Sequence, residues 1–162
     1  IGETVFLGSD LVSGEKMEGL RDDVVTLEAE IAEIKEKSLV PTGEVANISP
    51  FDTPDEEQAY TPGERGFRAI VTLGQLDTDI SGLTPVDDRY TIAGASSDLT
   101  VVNLGDNPEK LKIGDVIEFS LSYSALLRLM NAPYIDIISE PTLDAFDLKV
   151  NCTQDTEVSP VL

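Results

Sequence analysis

Two patterns of apolar and polar positions alternate along this chain of 162 residues, and most of it reads as short strands set off by turns. Residues 100–104, Thr-Val-Val-Asn-Leu, and residues 116–121, Val-Ile-Glu-Phe-Ser-Leu, repeat with the period of two that puts one face in a core and the other in water. Residues 68–73 form another such run, ended by Gly74. Residues 3–8 are a short apolar run stopped by Gly8, and residues 9–22 are rich in turn formers. The stretch Val25-Thr26-Leu27-Glu28-Ala29-Glu30-Ile31 alternates as a strand does, yet Val24, Leu27, Ile31 and Ile34 also fit helical spacing. Periodicity alone leaves both readings open there.

Breakers divide the runs. Pro41, Gly43, Pro50, Pro54, Pro62 and Gly63 predict an irregular loop over 41–66, and the acidic Asp55-Glu56-Glu57 run within it reads as solvated. Residues 86–93 lead into five small or polar residues, Gly94-Ala95-Ser96-Ser97-Asp98, before the chain resumes as a strand. Residues 124–130 have the composition of a short helix with Ser124 as its N-cap, stopped by Asn131-Ala132-Pro133. Residues 134–138 read as a closing strand. Beyond residue 140 the composition shifts, with Phe146, Leu148, Val150 and Cys152 alternating before an acidic tail. Turn-separated strands at this spacing predict a mainly β fold, a small β-barrel or sandwich with one short helix near 124–130. The expected division is a domain over 1–140 and an acidic extension over 141–162 that adds one edge strand.

Charge narrows the function. With 31 acids against 11 bases the net charge is −20, which repels phosphate polyanions and argues against nucleic-acid partners. Solubility explains this acidity more simply than cation binding, because no calcium-loop pattern is present. The chain contains no His and one Cys, so histidine acid–base chemistry, Ser/His/Asp and Cys/His triads, an internal disulfide and a zinc site are all excluded, and no metal site is expected. No apolar run reaches membrane-spanning length and no secretion leader is visible, so a cytoplasmic location away from membranes is expected. An opening Ile rather than Met suggests a fragment or processed product.

Small side chains let another molecule approach the backbone, and hydroxyls and carboxylates offer it hydrogen bonds. On that logic Ser96, Ser97 and Asp98 form one candidate constellation, and Gly74-Gln75-Leu76-Asp77 a second. A third is Ala132-Pro133-Tyr134, whose phenol hydroxyl could meet a phosphate or act as a base. Each has a plainer reading: local capping of turns by Asp98, the serines, Asp77 and Asp79, and a tyrosine half-buried with its hydroxyl at the surface.

The ordered series is more specific than any member. It comprises Gly2-Glu3 through Leu7-Gly8-Ser9-Asp10, Leu27 through Ile34-Lys35-Glu36-Lys37, Pro41-x-Gly43-Glu44, Gly74-x-x-Asp77 and Gly82-Leu83-x-Pro85. Gly94-Ala95-Ser96-Ser97-Asp98, Gly114-Asp115-x-x-x-Phe119 and Tyr123-x-Ala125-Leu126-Leu127-x-x-Met130-x-x-Pro133-Tyr134 complete it. Over residues 1–138 this resembles the C-terminal β-domain of the ornithine/alanine racemase-like family of fold-type III pyridoxal-phosphate enzymes. The resemblance favours a long strand over residues 25–37. It implies a parent racemase in which an N-terminal barrel carries pyridoxal phosphate on a lysine, while this domain completes the active site and a homodimer interface.

It also implies that Gln75, Ser96 and Ser97 line the site of a small amino-acid substrate, that Asp77 and Asp98 are the catalytic carboxylates, and that Tyr134 lies on the cofactor side. Barrel and Schiff-base lysine are missing from the chain, so no cofactor is expected on it alone and it is expected to be catalytically silent. Where the family pattern places His after Ser-Ser-Asp, this chain has Leu99. A non-catalytic β-domain for protein interaction or substrate gating is the alternative, and an acidic domain for divalent cations ranks third.

Overall fold

A computed structural model describes residues 2–10, 12–13, 15–39 and 64–140. Six antiparallel strands make one sheet: β1 (Leu27–Ser38), β2 (Arg65–Val71), β3 (Leu83–Pro85), β4 (Thr91–Ala95), β5 (Thr100–Gly105) and β6 (Val116–Leu121). Their order in the sheet is β3-β6-β1-β2-β5-β4. The end strands β3 and β4 approach one another, so the sheet curls into a near-barrel around its own apolar face. The fold is mainly β, as the strand spacing predicts.

The ambiguous stretch after Val24 is the long strand. Leu27, Ala29 and Ile31 are buried while Glu28 and Glu30 face water, a burial period of two that no helix produces. β1 serves two neighbours in succession. Leu27, Glu28, Ala29 and Glu30 pair with β6, and from Ile31 onward the strand pairs with β2. A register shift between Ile31 and Glu33 marks the change of partner, and a bulge there increases local twist. The core comprises Ile31, Ala69, Val71, Leu83, Val102, Leu104, Ile117 and Phe119 from the inner sheet face, with Leu73 and Ile80 from the connections. Burying a side chain such as Phe119 or Ile31 contributes roughly 1.5–3 kcal/mol.

Two α-helices occur among the described residues. The helix foreseen near 124–130 is α2 (Tyr123–Leu129), and it buries Ala125, Leu126 and Leu129. Its N-cap is Ser122 rather than Ser124: the Ser122 hydroxyl accepts the Ala125 N–H at 3.3 Å, and the helix thus begins two residues earlier than a Ser124 cap implies. A second helix, α1 (Gly2–Leu7), occupies the first apolar run, and Gly8 follows it with φ of 65°.

Two further expectations are corrected. Residues 134–138 form no strand, because none of them pairs with a neighbour; Ile135 packs on the core while Tyr134, Ile137 and Ile138 remain exposed. Gly94 and Ala95 belong to β4 itself, so the small-residue turn is only residues 96–99. Of the loop predicted over 41–66, residues 41–63 lie outside the described residues while Arg65 and Gly66 already belong to β2, and the edge strand expected beyond residue 140 also lies outside the described residues. No helix among the described residues is long and apolar enough to cross a membrane.

Candidate functional site

Leaving β2, the chain buries Leu73 and then turns tightly. Gly74 accepts the Asp77 N–H at 3.0 Å and the Thr78 N–H at 3.2 Å on its carbonyl, and it donates its own N–H to Asp77 Oδ2 at 3.0 Å. The carboxylate of Asp77 therefore closes its own turn, the plainer of the two roles open to it. Thr78 is fully buried and donates its hydroxyl to the Ala125 carbonyl at 3.0 Å, which fastens the loop to α2.

Between β4 and β5 the second loop is built the same way. The Ser96 N–H donates to the Leu99 carbonyl at 2.8 Å, and the Leu99 N–H donates to the Ser96 hydroxyl at 3.2 Å. The Ser97 hydroxyl donates to Asp98 Oδ2. Gly94, paired with Val101 next to a register shift, has φ of 155°, a conformation that favours glycine and lets the strand bend into this turn.

The two loops are then joined through the main chain. The Gln75 N–H donates to the Ser96 carbonyl and the Leu76 N–H to the Ser97 carbonyl, each at 3.0 Å. Below them the Thr100 hydroxyl donates to the Leu73 carbonyl at 2.7 Å. Gly74 makes the approach possible. A Cβ placed there would lie 2.2 Å from the Ser97 carbonyl oxygen, well inside contact distance, so only glycine fits.

Five of the six residues expected at a site thus meet on one joined pair of loops: Gln75 and Asp77 on one, Ser96, Ser97 and Asp98 on the other. Gln75, Asp77 and Ser97 are half-buried, and Ser96 and Asp98 are exposed. Tyr134 stands apart in character, 88% exposed on the irregular segment after α2.

Two features at the loops escaped the sequence patterns. Asp79 does not share in capping the 74–77 turn; it accepts the Ser81 hydroxyl at 2.7 Å and the Ser124 hydroxyl at 2.9 Å, linking the loop to the first turn of α2. Those two hydrogen bonds, with the nearby Arg128 charge, hold its carboxyl below the usual aspartate value. Leu76 stands 77% exposed and Leu99 41% exposed, giving the joined loops an apolar rim beside their carboxylates. A single leucine among polar residues offers no periodic signal, so position in the fold was needed to see it. Among the described residues no cluster of three or more His, Cys, Asp or Glu could hold a metal ion.

Over 136 residues the chain is 39% identical to an ornithine racemase of Acetoanaerobium sticklandii, and over 145 residues it is 35% identical to a lysine racemase of Thermotoga maritima. These matches take in 84% and 88% of this chain but only 37% and 39% of the two racemases. The chain therefore spans under two fifths of the length of the curated relatives it matches. No protein-family model matches the chain, and neither does any solved structure. Sheet and matches together define a racemase-related β-domain. The partial coverage of the ornithine and lysine racemases is consistent with a C-terminal fragment of a racemase, the position its motif series implies.

Proposed function

We propose that this chain is the substrate-facing β-domain of a pyridoxal-phosphate amino-acid racemase, and that it completes the active site and homodimer interface of the parent enzyme in the cytoplasm. Residues 1–140 are the racemase-like unit in this reading, and residues 141–162 an acidic extension of it. The supporting observation is the main-chain fastening of residues 75–76 to residues 96–97, which gathers Gln75, Ser96, Ser97, Asp77 and Asp98 into one rim.

The chemistry of that rim fits a substrate better than a cofactor. Residues 74–79 and 94–99 contain carboxylates, hydroxyls and an amide but no Lys or Arg. Nothing in them neutralises a phosphate, and none of their side chains forms a Schiff base, so pyridoxal phosphate does not fit these loops. In the parent the cofactor, which supplies the electron sink for a carbanion at the α-carbon, is held by the barrel. Tyr134 contributes one phenol hydroxyl on the cofactor side, enough for a single hydrogen bond. Asp77 and Asp98 carry acceptor oxygens suited to an ammonium group. The names of the two relatives, racemases of ornithine and of lysine, agree with an amino acid whose side chain is cationic.

A chimaera tests the reading: the corresponding part of the ornithine racemase is replaced by this chain, and racemisation of L-ornithine and L-lysine is followed. Turnover is expected, with Asp77→Asn and Asp98→Asn each lowering kcat/KM about tenfold or more, the scale of a hydrogen bond to a charged group. The chain alone with added pyridoxal phosphate is expected to give none. An inactive but folded, dimeric chimaera, or unchanged kcat/KM in both variants, would sink the proposal. Leu99 favours the second reading, a non-catalytic domain for protein interaction or substrate gating, because it stands where the family pattern has His. Restored or increased turnover in a Leu99→His chimaera separates the two.

A further inference from the structure

In a chain of net charge −20 every cation has carboxylates to choose from. Arg21 pairs with Asp23, Arg65 with Glu36, and Arg89 with both Asp87 and Glu109, while Arg128 acts on Asp79. All four of these arginines are exposed. Arg68 is half-buried, and among the described residues no carboxylate pairs with it. Its Nε donates to the neutral Asn103 Oδ1 at 2.9 Å, which leaves both Nη nitrogens without a partner among the described residues.

This guanidinium is held in place. Asn103 is 3% exposed, and its Nδ2 donates to the Leu39 carbonyl at 3.3 Å, so the amide that orients Arg68 is itself fixed. Arg68 lies between Lys35 on β1 and Asn103 on β5, and Ile70 lies opposite Val101. Ala69 and Val71 point into the core, so alternation sends Arg68 and Ile70 to the opposite face of the sheet. There Ile70 and Val101 are half-buried and stand outside the core cluster. Burial disfavours the charged form of Arg68 and pushes its pKa down, and among the described residues no carboxylate offsets that.

We infer that Arg68, backed by Asn103 and flanked by Ile70 and Val101, is a docking point for the acidic side chain of a second polypeptide that carries an aliphatic residue beside it. A guanidinium fixed at Nε presents its Nη edge as the planar fork that a carboxylate fits with two hydrogen bonds. A free small anion could meet the guanidinium alone, whereas apolar contact with Ile70 and Val101 is available only to a partner that brings an aliphatic group beside its acid. This inference stands apart from the racemase reading, because Arg68 lies on the outer face of the sheet and its side chain bonds to Asn103 rather than to the joined loops.

Nuclear magnetic resonance on the isotopically labelled chain tests it, with acetyl-Glu-Leu-Glu-Leu-amide, its Gln analogue and sodium acetate as probes. The Glu peptide is expected to shift the Arg68 Nε–H and the Ile70 and Val101 methyl signals saturably. The Gln analogue and the Arg68→Lys variant are each expected to bind about tenfold more weakly or worse, since a hydrogen bond to a charged group is worth that much. Arg68→Gln provides a second variant, and unchanged core methyl signals of Ile31 and Val102 certify its fold. Equal binding of the two peptides, undiminished binding by both variants, or saturation by acetate over the same concentrations would overturn the inference. So would movement of the Arg68 Nε–H signal on replacing Asp55, Glu56 and Glu57 by their amides without peptide, because the chain would then supply its own acid.

Discussion

The joined loops at residues 74–78 and 96–99 and the segment that follows α2 carry the candidate chemistry in opposite ways. In the loops, both inter-loop bonds and three of the turn-closing bonds join backbone groups, and the Asp77 and Ser96 side chains close the same turns from within, so the geometry is set inside the loops themselves. In the segment after α2, Tyr134, Ile137 and Ile138 are exposed and only Ile135 reaches the core. The first region is finished as it stands. The second presents side chains whose final surroundings depend on what covers them. Preorganised groups belong where chemistry needs fixed distances, and exposed apolar groups belong where two surfaces meet.

The strongest way to break this contrast is Gly74→Val. Its Cβ meets the Ser97 carbonyl oxygen, a backbone atom that cannot swing aside, so the two loops must separate. A loss on the order of 3 kcal/mol is expected from such overpacking, read as a lowered midpoint in urea unfolding. A variant as stable as the parent would show that the loops are not fastened as described.

Acid offers a milder probe of the same region. The Ser81 and Ser124 hydroxyls lower the pKa of Asp79 in the folded chain below its ordinary value of 3.8. A group depressed in this way stabilises the fold fully above that value, and its contribution fades as pH falls below it. Asp79→Asn should flatten the loss of stability between pH 4 and pH 2, by less than about 1 kcal/mol because the carboxylate is largely in water. Unfolding curves of the two proteins that run parallel through that range would remove Asp79 from the account.

Tyr134→Ala should change stability least, within about 0.5 kcal/mol, as befits a surface side chain outside any network. A larger loss measured by the same urea titration would mean that the tyrosine already has a structural role in this chain, and the contrast between the regions would weaken.

How much of this could be read from the chain depends on which atoms carry the information. In β1 the alternation of Leu27, Glu28, Ala29, Glu30 and Ile31 competed evenly with a helical spacing, and the family resemblance, not the periodicity, favoured the strand that the buried face bears out. β5 and β6 were legible because burial in a sheet writes itself into side chains. The segments 74–77 and 94–98 stood out by their small and polar residues, yet nothing in those identities says that the loops touch. Their junction uses N–H and C=O groups that every residue has, and the single trace of it in the sequence is the glycine at 74. The strand expected over 134–138 failed for a related reason: alternation is necessary for a strand, but a partner edge is what makes one. Ser124 was the cap expected from composition, but the Ser122 hydroxyl takes the Ala125 N–H and Ser124 lies inside the first turn. Arg68 passed unnoticed because a lone arginine in a strand carries no motif, and only the register shows that its neighbours across the sheet are Lys35 and Asn103 rather than acids.

The double pairing of β1 has a consequence for how the molecule comes apart. Because one strand is stitched to β6 in its first third and to β2 thereafter, neither flank can peel away as an independent unit without tearing the same backbone from the other. Amide hydrogen exchange should accordingly find a single slow class spanning β6, β1 and β2, governed by global opening, while α1 and the chain ahead of β1 exchange early through local fraying.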